Sequence, residues 1–299
     1  MGEVEKHTQM KHRLLGNYLK ICTSRVKSQR SHDFVVVDLY ANDGVAYWPD
    51  GDEMWEGSAQ IIAKWVSTAG ERAYCILNER DKTLIEKLKE NTKQYQSVIK
   101  EILTEDANVI HKYILKKYIP LDAHSIFLLD PYNHSELKFS TIKTIAEHCK
   151  EDIYRGESFI RRPELIINLP TFTIIKSKTQ NPQLITDFLG TDELIQELEK
   201  AEKENASQPE TILNVFKKQL KRYYPEDGII PIEIRTLEAN APIYYLIFTA
   251  THPLAKTIQR TFEDWVKKTL KEFRREGFAL KLIAEAKRKH LTSLDKWNN

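Results

Sequence analysis

Five apolar runs alternate with helical patterns between residues 34 and 169, and this alternation is the strongest constraint on the fold. The first run, residues 34–39 (FVVVDL), is rich in β-branched residues and is typical of a strand buried on both faces. The other runs are residues 73–77, 97–103, 126–129 and 164–168. Repeated strand–helix units predict an α/β fold with a mostly parallel sheet and helices on both faces.

The strand–helix alternation stops after Pro170. Residues 176–227 are polar and predict a helical insertion, in which Ser207 and Glu210 form a capping box. The strand-like runs 229–237 and 243–250 are joined by a short connection, which predicts an antiparallel hairpin. Five β–α units closed by such a hairpin predict a seven-stranded sheet, the element order of Rossmann-like methyltransferases that use S-adenosylmethionine.

The predicted organisation has five parts. A basic N-terminal helix (1–33) precedes a Rossmann-like core (34–175), which is followed by the helical insertion (176–227), the terminal β-hairpin of the core (228–252) and a basic helical segment (253–299). If the basic residues of the two terminal segments converge beside a cleft, they form a track for a nucleic-acid backbone. If they lie on opposite faces, they are ordinary solvated helix surfaces.

Composition excludes several classes of protein. Lys and Arg number 45 against 43 Asp and Glu, so the net charge of +2 excludes a uniformly basic surface but not a local basic face. No apolar run approaches the roughly 18 residues that span a bilayer, and the first residues lack the apolar segment of a secretory signal. Cys22, Cys75 and Cys149 form no CxxC pair, which favours reduced packing residues in a cytoplasmic protein.

Acidic residues follow the first two predicted strands, at the sheet edge where ligands bind. The turn after the first strand contains Asp38, Tyr40, Asn42 and Gly44. Asn42 and Gly44 are the residues best suited to positive φ there, and residues 45–57 add an extra loop. Glu79 follows the second strand, where a carboxylate can bind ribose hydroxyls. An ordinary turn, or a helix-capping role for Asn78 or Asp81, remains an alternative.

The most specific motif follows the fourth strand and reads Asp130-Pro131-Tyr132-Asn133. Amine-directed methyltransferases place an acidic or amide residue, proline and an aromatic ring there. The first residue and a carbonyl accept hydrogen bonds from the target amine, and the ring stacks on a planar target. The commoner motif has a second proline, which is absent here. A strand end with a proline turn is the alternative.

Together these motifs resemble the three-Cys-motif partner protein (TcmP) family, which is methyltransferase-like. The matching segments, between about residues 11 and 260, are residues 38–44, 57–59, Glu79, 129–133, 164–169 and 245–253. This chain has Asn42-Asp43 in the first turn, Ala59 where the family has proline and Asn133 where it has glycine. The resemblance implies S-adenosylmethionine as cofactor and a partner protein, encoded nearby, that carries the cysteine motif.

The leading hypothesis is methyl transfer from S-adenosylmethionine, with an amine of a nucleobase or nucleic acid as a candidate acceptor. Asp38 to Gly44 would hold the methionine end, and Ser58, as a helix N-cap, would place backbone amides near its carboxylate. Glu79 would hold the ribose and Asp106 would meet the adenine amine. Asp130, Pro131 and Tyr132 would face the acceptor, and residues 176–227 would form a lid.

Two other hypotheses remain at this stage. The chain could be a non-catalytic partner that keeps the fold and binds another protein or a nucleic acid. A metal-dependent nuclease using Asp38, Asp43 and Asp130 ranks last, because no lysine stands at a recognisable nuclease spacing from them in the sequence. No metal site is predicted.

Overall fold

A computed structural model describes residues 2–26, 32–47, 54–235 and 242–253, together with Phe262 and Val266. Its helices are α1 (Gly2–Val26), α2 (Ser58–Val66), α3 (Ile85–Thr92), α4 (Ala107–Tyr118), α5 (Phe139–Glu147), α6 (Thr171–Ser177), α7 (Pro182–Leu189), α8 (Leu194–Lys203) and α9 (Gln208–Leu220). Its strands are β1 (Phe34–Asp38), β2 (Val45–Tyr47), β3 (Met54–Glu56), β4 (Ala73–Asn78), β5 (Ile99–Leu103), β6 (His124–Leu129), β7 (Lys150–Tyr154), β8 (Glu157–Arg161), β9 (Glu164–Leu169), β10 (Ile229–Arg235) and β11 (Pro242–Thr249).

Seven of these strands form one sheet in the order β10-β11-β9-β6-β1-β4-β5. The five strands from β9 to β5 are parallel, whereas β11 runs antiparallel to both β9 and β10. The predicted α/β fold, with a mostly parallel seven-stranded sheet and a terminal hairpin, is therefore confirmed. The connection between the hairpin strands lies outside the described residues.

Strand β1 lies at the centre of the sheet, and all five of its residues are buried. Val35 and Val37 face one hydrophobic core, which includes residues of α4 to α9, while Phe34 and Val36 face a second core, which includes residues of α1 and α2. Two buried faces explain why β1 is a continuous apolar run and does not alternate with polar residues.

Helix α1 packs against the second core through the apolar face predicted from its spacing. Its buried residues include Leu14, Leu15, Tyr18, Leu19 and Cys22. Most of the basic segment 253–299 lies outside the described residues, so the relative positions of the two basic ends remain a prediction. The described helices include none that is both long and apolar enough to cross a bilayer.

Two short hairpins were missed by the sequence pattern. Strands β2 and β3 pair within the segment predicted as a loop, residues 45–57. Strands β7 and β8 pair with Arg155 and Gly156 at positive φ in their turn. Both pairs lack a fully buried face, so neither has the apolar signature that identifies core strands.

The segment 176–227 contains helices α7, α8 and α9. Ile212, Phe216 and Leu220 of α9 are buried in the first core, and the Ser207 hydroxyl accepts a hydrogen bond from the Glu210 backbone N–H at 3.5 Å. The predicted N-cap of α9 is therefore present. Whether this segment acts as a lid remains a prediction.

Candidate functional site

The candidate site lies at the carboxyl edge of β1, β4 and β6, beside the point where the strand order reverses. After β1 the chain turns with Asn42 at φ 52° and Gly44 at φ 83°, as predicted. Gly57 then packs on this turn, and its N–H donates to the Gly44 carbonyl at 3.0 Å. A Cβ atom at Gly57 would lie 2.6 Å from that oxygen, so a side chain there would displace the turn.

Asp38 is fully buried at the end of β1. Its Oδ1 accepts the Tyr40 backbone N–H at 3.0 Å, while Oδ2 has no hydrogen-bond partner among the described residues. Burial raises the pKa of Asp38 to about 7, because the nearby Ser58 hydroxyl and the Tyr40 N–H only partly offset the loss of solvation. The site therefore holds a buried carboxyl group, one oxygen of which accepts no hydrogen bond from the described residues.

Glu79 at the tip of β4 braces the β1 turn. Its Oε2 accepts the Asn42 backbone N–H at 2.9 Å, and its Oε1 accepts the Asp81 backbone N–H at 2.8 Å. Each carboxylate oxygen keeps a second lone pair, so Glu79 can accept further hydrogen bonds from hydroxyl groups. Asn78 instead bonds to the Leu39 and Glu105 backbones, so it is not a helix cap.

The structure corrects the role predicted for Ser58 and adds one for Asp106. Ser58 is the first residue of α2 and not its N-cap, which is Gly57 without a side-chain cap. The reason is the tight contact between Gly57 and Gly44, which only glycine allows. Asp106 caps α4 by accepting the Asn108 backbone N–H at 2.7 Å, and its other oxygen lies 3.8 Å from the Arg80 guanidinium. Binding of an adenine amine by Asp106 remains a prediction.

Asp43, the extra carboxylate of the turn, is buried. Its Oδ1 accepts the Val45 backbone N–H at 3.3 Å, and its backbone carbonyl accepts a hydrogen bond from the Asn91 side chain at 2.8 Å. The carboxylate is thus used within the turn itself. The described residues contain no group of three or more His, Cys, Asp or Glu side chains able to hold a metal ion.

The segment after β6 is tied to Tyr40 of the β1 turn through Glu136. The Tyr40 hydroxyl donates to the Glu136 carbonyl at 3.0 Å, and the Tyr132 backbone N–H donates to Glu136 Oε2 at 3.0 Å. Pro131 is buried, whereas the Tyr132 side chain is 91% exposed. The backbone is therefore fixed while the ring of Tyr132 stands free in solvent.

Asp130 is held by two residues that the sequence interpretation did not assign to the site. The Lys11 ammonium of α1 forms an ion pair with Oδ2, and the Asn168 amide of β9 donates to Oδ1 at 2.9 Å. The Asn168 Oδ1 atom is buried without a partner among the described residues. An orphaned acceptor beside a carboxylate is a fitting place for an amine that has two N–H donors.

A narrow gap lies between α1 and the end of β6. The residues around it include Lys11, His12, Ser58 and Asp130. The Trp55 indole donates to His12 Nδ1 at 3.0 Å, which ties β3 to α1. Burial and the neighbouring Lys11 lower the pKa of His12 to about 3, so its imidazole is neutral. Helix α1 is consequently a wall of the site and not merely a surface helix.

Lys11 should matter for stability because its partner is only partly solvated. Replacing it with Met leaves the Asp130 carboxylate without its cation, and we expect the free energy of unfolding to fall by about 1–3 kcal/mol. The double variant Lys11→Met/Asp130→Asn should recover part of that loss. Urea denaturation of Lys11→Met, Asp130→Asn and the double variant measures the coupling, and strictly additive single effects would contradict the pairing.

No protein-family model matches the sequence. No curated protein matches it either. Among solved structures, protein LPL1258 from Legionella pneumophila is 9% identical, with a TM-score of 0.53 and coverage of 90% of this chain and 92% of that one. An rRNA methylase from Streptococcus thermophilus is 10% identical, with a TM-score of 0.39 and coverage of 81% and 95%. The O-methyltransferase TomG from Streptomyces achromogenes, solved with S-adenosylmethionine, is 8% identical, with a TM-score of 0.41 and coverage of 79% of each chain.

Proposed function

We propose that this chain is an S-adenosylmethionine-dependent methyltransferase whose acceptor is an amine, in particular an amine of a nucleobase. The observation that carries the proposal is that two buried acceptor atoms, Asp38 Oδ2 and Asn168 Oδ1, have no partner among the described residues and belong to strands on either side of β6. The first ends β1 and suits a cationic ammonium, and the second belongs to the amide that bonds to Asp130 and suits a neutral amine.

The residues at the ends of β1 and β4 fit the cofactor. Asp38 offers an unused oxygen to the ammonium of the methionine moiety, and Glu79 offers free lone pairs to ribose hydroxyls. The positive-φ turn at Asn42 and Gly44 lets a ligand approach the backbone closely. When bound, S-adenosylmethionine supplies a methyl group activated by its sulfonium centre.

The residues after β6 would position the acceptor. Asp130 and the Asn168 carbonyl oxygen would accept the two N–H groups of the target amine, which leaves the nitrogen lone pair free for attack. Lys11 holds the Asp130 carboxylate in place through its ion pair, and the exposed ring of Tyr132 would stack on a planar base. Since the leaving group is already activated, alignment and exclusion of water are the main tasks of these residues.

The resemblance to the TcmP family suggests a second candidate function, that of a non-catalytic partner protein. The contacts of Lys11 and Asn168 with both oxygens of Asp130 favour it, because an acceptor amine must share or replace them. Native mass spectrometry of the purified protein, followed by calorimetric titration with S-adenosylhomocysteine, tests cofactor binding. Transfer of labelled methyl groups to mixed-sequence RNA, DNA and free nucleosides then separates the enzyme from the partner.

Glu79 provides a direct test of the cofactor site. We expect Glu79→Ala to weaken S-adenosylhomocysteine binding by about 1–3 kcal/mol, because charge-assisted hydrogen bonds in a partly desolvated site are lost. Glu79→Gln should lie between Ala and the parent protein. The exposed Glu86→Gln on α3 serves as the control. An unchanged calorimetric affinity in a folded Glu79→Ala protein would remove Glu79 from the site.

A further inference from the structure

Two large aromatic side chains are exposed at the ends of adjacent parallel strands. Tyr132 follows β6 and is 91% exposed, and Phe172 follows β9 and is 47% exposed. Both strands end in buried residues, so each ring stands just beyond the core. Exposed rings at a ligand-binding edge are candidates for stacking, since solvent exposure of such large apolar surfaces is unfavourable.

The sheet register places the segments that carry the two rings at the ends of neighbouring strands. Leu129 of β6 pairs with Ile167 of β9, and both strands leave the sheet near that point. Tyr132 is three residues beyond Leu129, and Phe172 is five residues beyond Ile167. The two rings therefore belong to the chain segments that bracket the bond between Asn168 and Asp130.

Helix α6, which carries Phe172, is also attached to the segment that follows Tyr132. The Ser177 hydroxyl lies 3.3 Å from His134 Nε2, and Ile174 anchors the helix in the first core. This attachment holds α6 beside the segment that follows β6. Phe172 is thus on a fixed helix and not on a free loop.

Lys176 places its positive charge over one face of the Phe172 ring. Its ammonium lies 4.1 Å from the ring centroid, and among the described residues it forms no salt bridge. A ring with an adjacent unneutralised cation is the combination that binds a stacked base together with its phosphate. A free nucleoside would use the ring alone.

We propose that Phe172 and Lys176 bind the nucleotide next to the target base, so that the substrate is a single-stranded nucleic acid and not a free nucleoside. This inference rests on the proposed function, because it takes Tyr132 and Asp130 as the position of the target base. The shared chemistry is a stacked base and a phosphate, which RNA and DNA both supply.

Fluorescence anisotropy with labelled, mixed-sequence 12-nucleotide RNA and DNA tests the proposal. Phe172→Leu keeps apolar volume but removes the stacking face, and we expect it to weaken binding by about 10-fold. Lys176→Gln should reduce the slope of log affinity against log salt by about 0.7, the value for one phosphate contact on a single strand. The difference between the RNA and DNA arms identifies the preferred strand.

Tyr113→Leu on α4 is the matched control, because Lys117 lies 4.9 Å from the Tyr113 ring and that ring is also exposed. Equal losses in the Phe172 and Tyr113 variants, no loss in either, or no oligonucleotide binding by the parent protein would overturn the proposal. Calorimetry with S-adenosylhomocysteine separates the two claims. If the protein binds the cofactor but Phe172→Leu leaves oligonucleotide affinity unchanged, only the nucleotide site is contradicted. If oligonucleotide affinity depends on Phe172 but the protein does not bind the cofactor, only the methyltransferase function is contradicted.

Discussion

Replacing Asp130 with Ala should lower methyl transfer by about 100- to 1,000-fold while S-adenosylhomocysteine affinity changes little. The carboxylate is held by Lys11 and Asn168 beside a buried, unpartnered carbonyl oxygen, so its removal takes away an acceptor that orients the target nitrogen. Loss of one preorganised hydrogen-bonding group in an active site typically costs two to three powers of ten in rate, or about 3–4 kcal/mol. Transfer of labelled methyl groups to mixed-sequence single-stranded RNA and DNA measures the effect.

Asp130→Asn is the informative companion variant, since its amide oxygen still accepts a hydrogen bond while the charge that attracts Lys11 is gone. We expect its rate to lie between those of Asp130→Ala and the parent protein. The half-buried Asp152, which pairs with Arg161 in the β7–β8 hairpin, offers a control at Asp152→Asn. A parent protein that binds the cofactor but methylates none of the acceptors would favour the non-catalytic partner. Equal rates in an active parent and Asp130→Ala would exclude Asp130 from the reaction.

The sheet and the turn after β1 could be predicted because their signals are local. Buried parallel strands read as apolar runs, and the need for positive φ selects residues such as Asn42 and Gly44. Asp130 and Glu79 became candidates because the end of each strand marks the ligand-binding edge. These inferences need only the order of the elements and not their distances.

Lys11 could not be assigned from the same reasoning, because its partner is 119 residues away along the chain. One signal was present: Lys11 lies on the helical face that also carries Leu15, Tyr18 and Cys22, so a charge interrupts an otherwise buried stripe. Asn168 gave a similar signal as the single amide within the apolar strand β9. A polar residue in a buried pattern needs a partner, but sequence does not say which one.

The role predicted for Ser58 shows that a local sequence signal can also be overridden by a distant contact. Serine before an apolar helix is a good N-cap by composition, yet Gly57 takes that position because its backbone meets Gly44 of a turn thirteen residues earlier. The β7–β8 hairpin was missed for a related reason. Its strands project polar and apolar residues with no buried face, so no period distinguishes them from a loop.

The free energy of unfolding of the parent chain should fall between pH 5 and pH 8. In the Asp38→Asn variant it should fall less over the same range. The pKa of Asp38 is raised to about 7 by burial, against about 4 in the unfolded chain. Between these values the native state binds more protons than the unfolded state, so the parent's free energy of unfolding falls as the pH rises from 4 to 7. By pH 8 the loss should reach roughly 2–4 kcal/mol, and Asn, which does not titrate, should escape it.

The substitution also has a cost that does not depend on pH, because it places an amide N–H where Oδ2 had no partner. Comparing the free energies of unfolding at the two pH values separates the titration of Asp38 from this cost. Urea denaturation of both proteins at several pH values, with the exposed Glu90→Gln as the control, measures it. Parallel stability curves would show that Asp38 has no raised pKa. The same carboxylate should bind the cofactor's ammonium, so S-adenosylhomocysteine affinity should rise with pH up to about 7 in the parent protein and stay low and flat in Asp38→Asn. A group that destabilises the free protein and strengthens ligand binding over the same pH range is held there for the ligand and not for the fold.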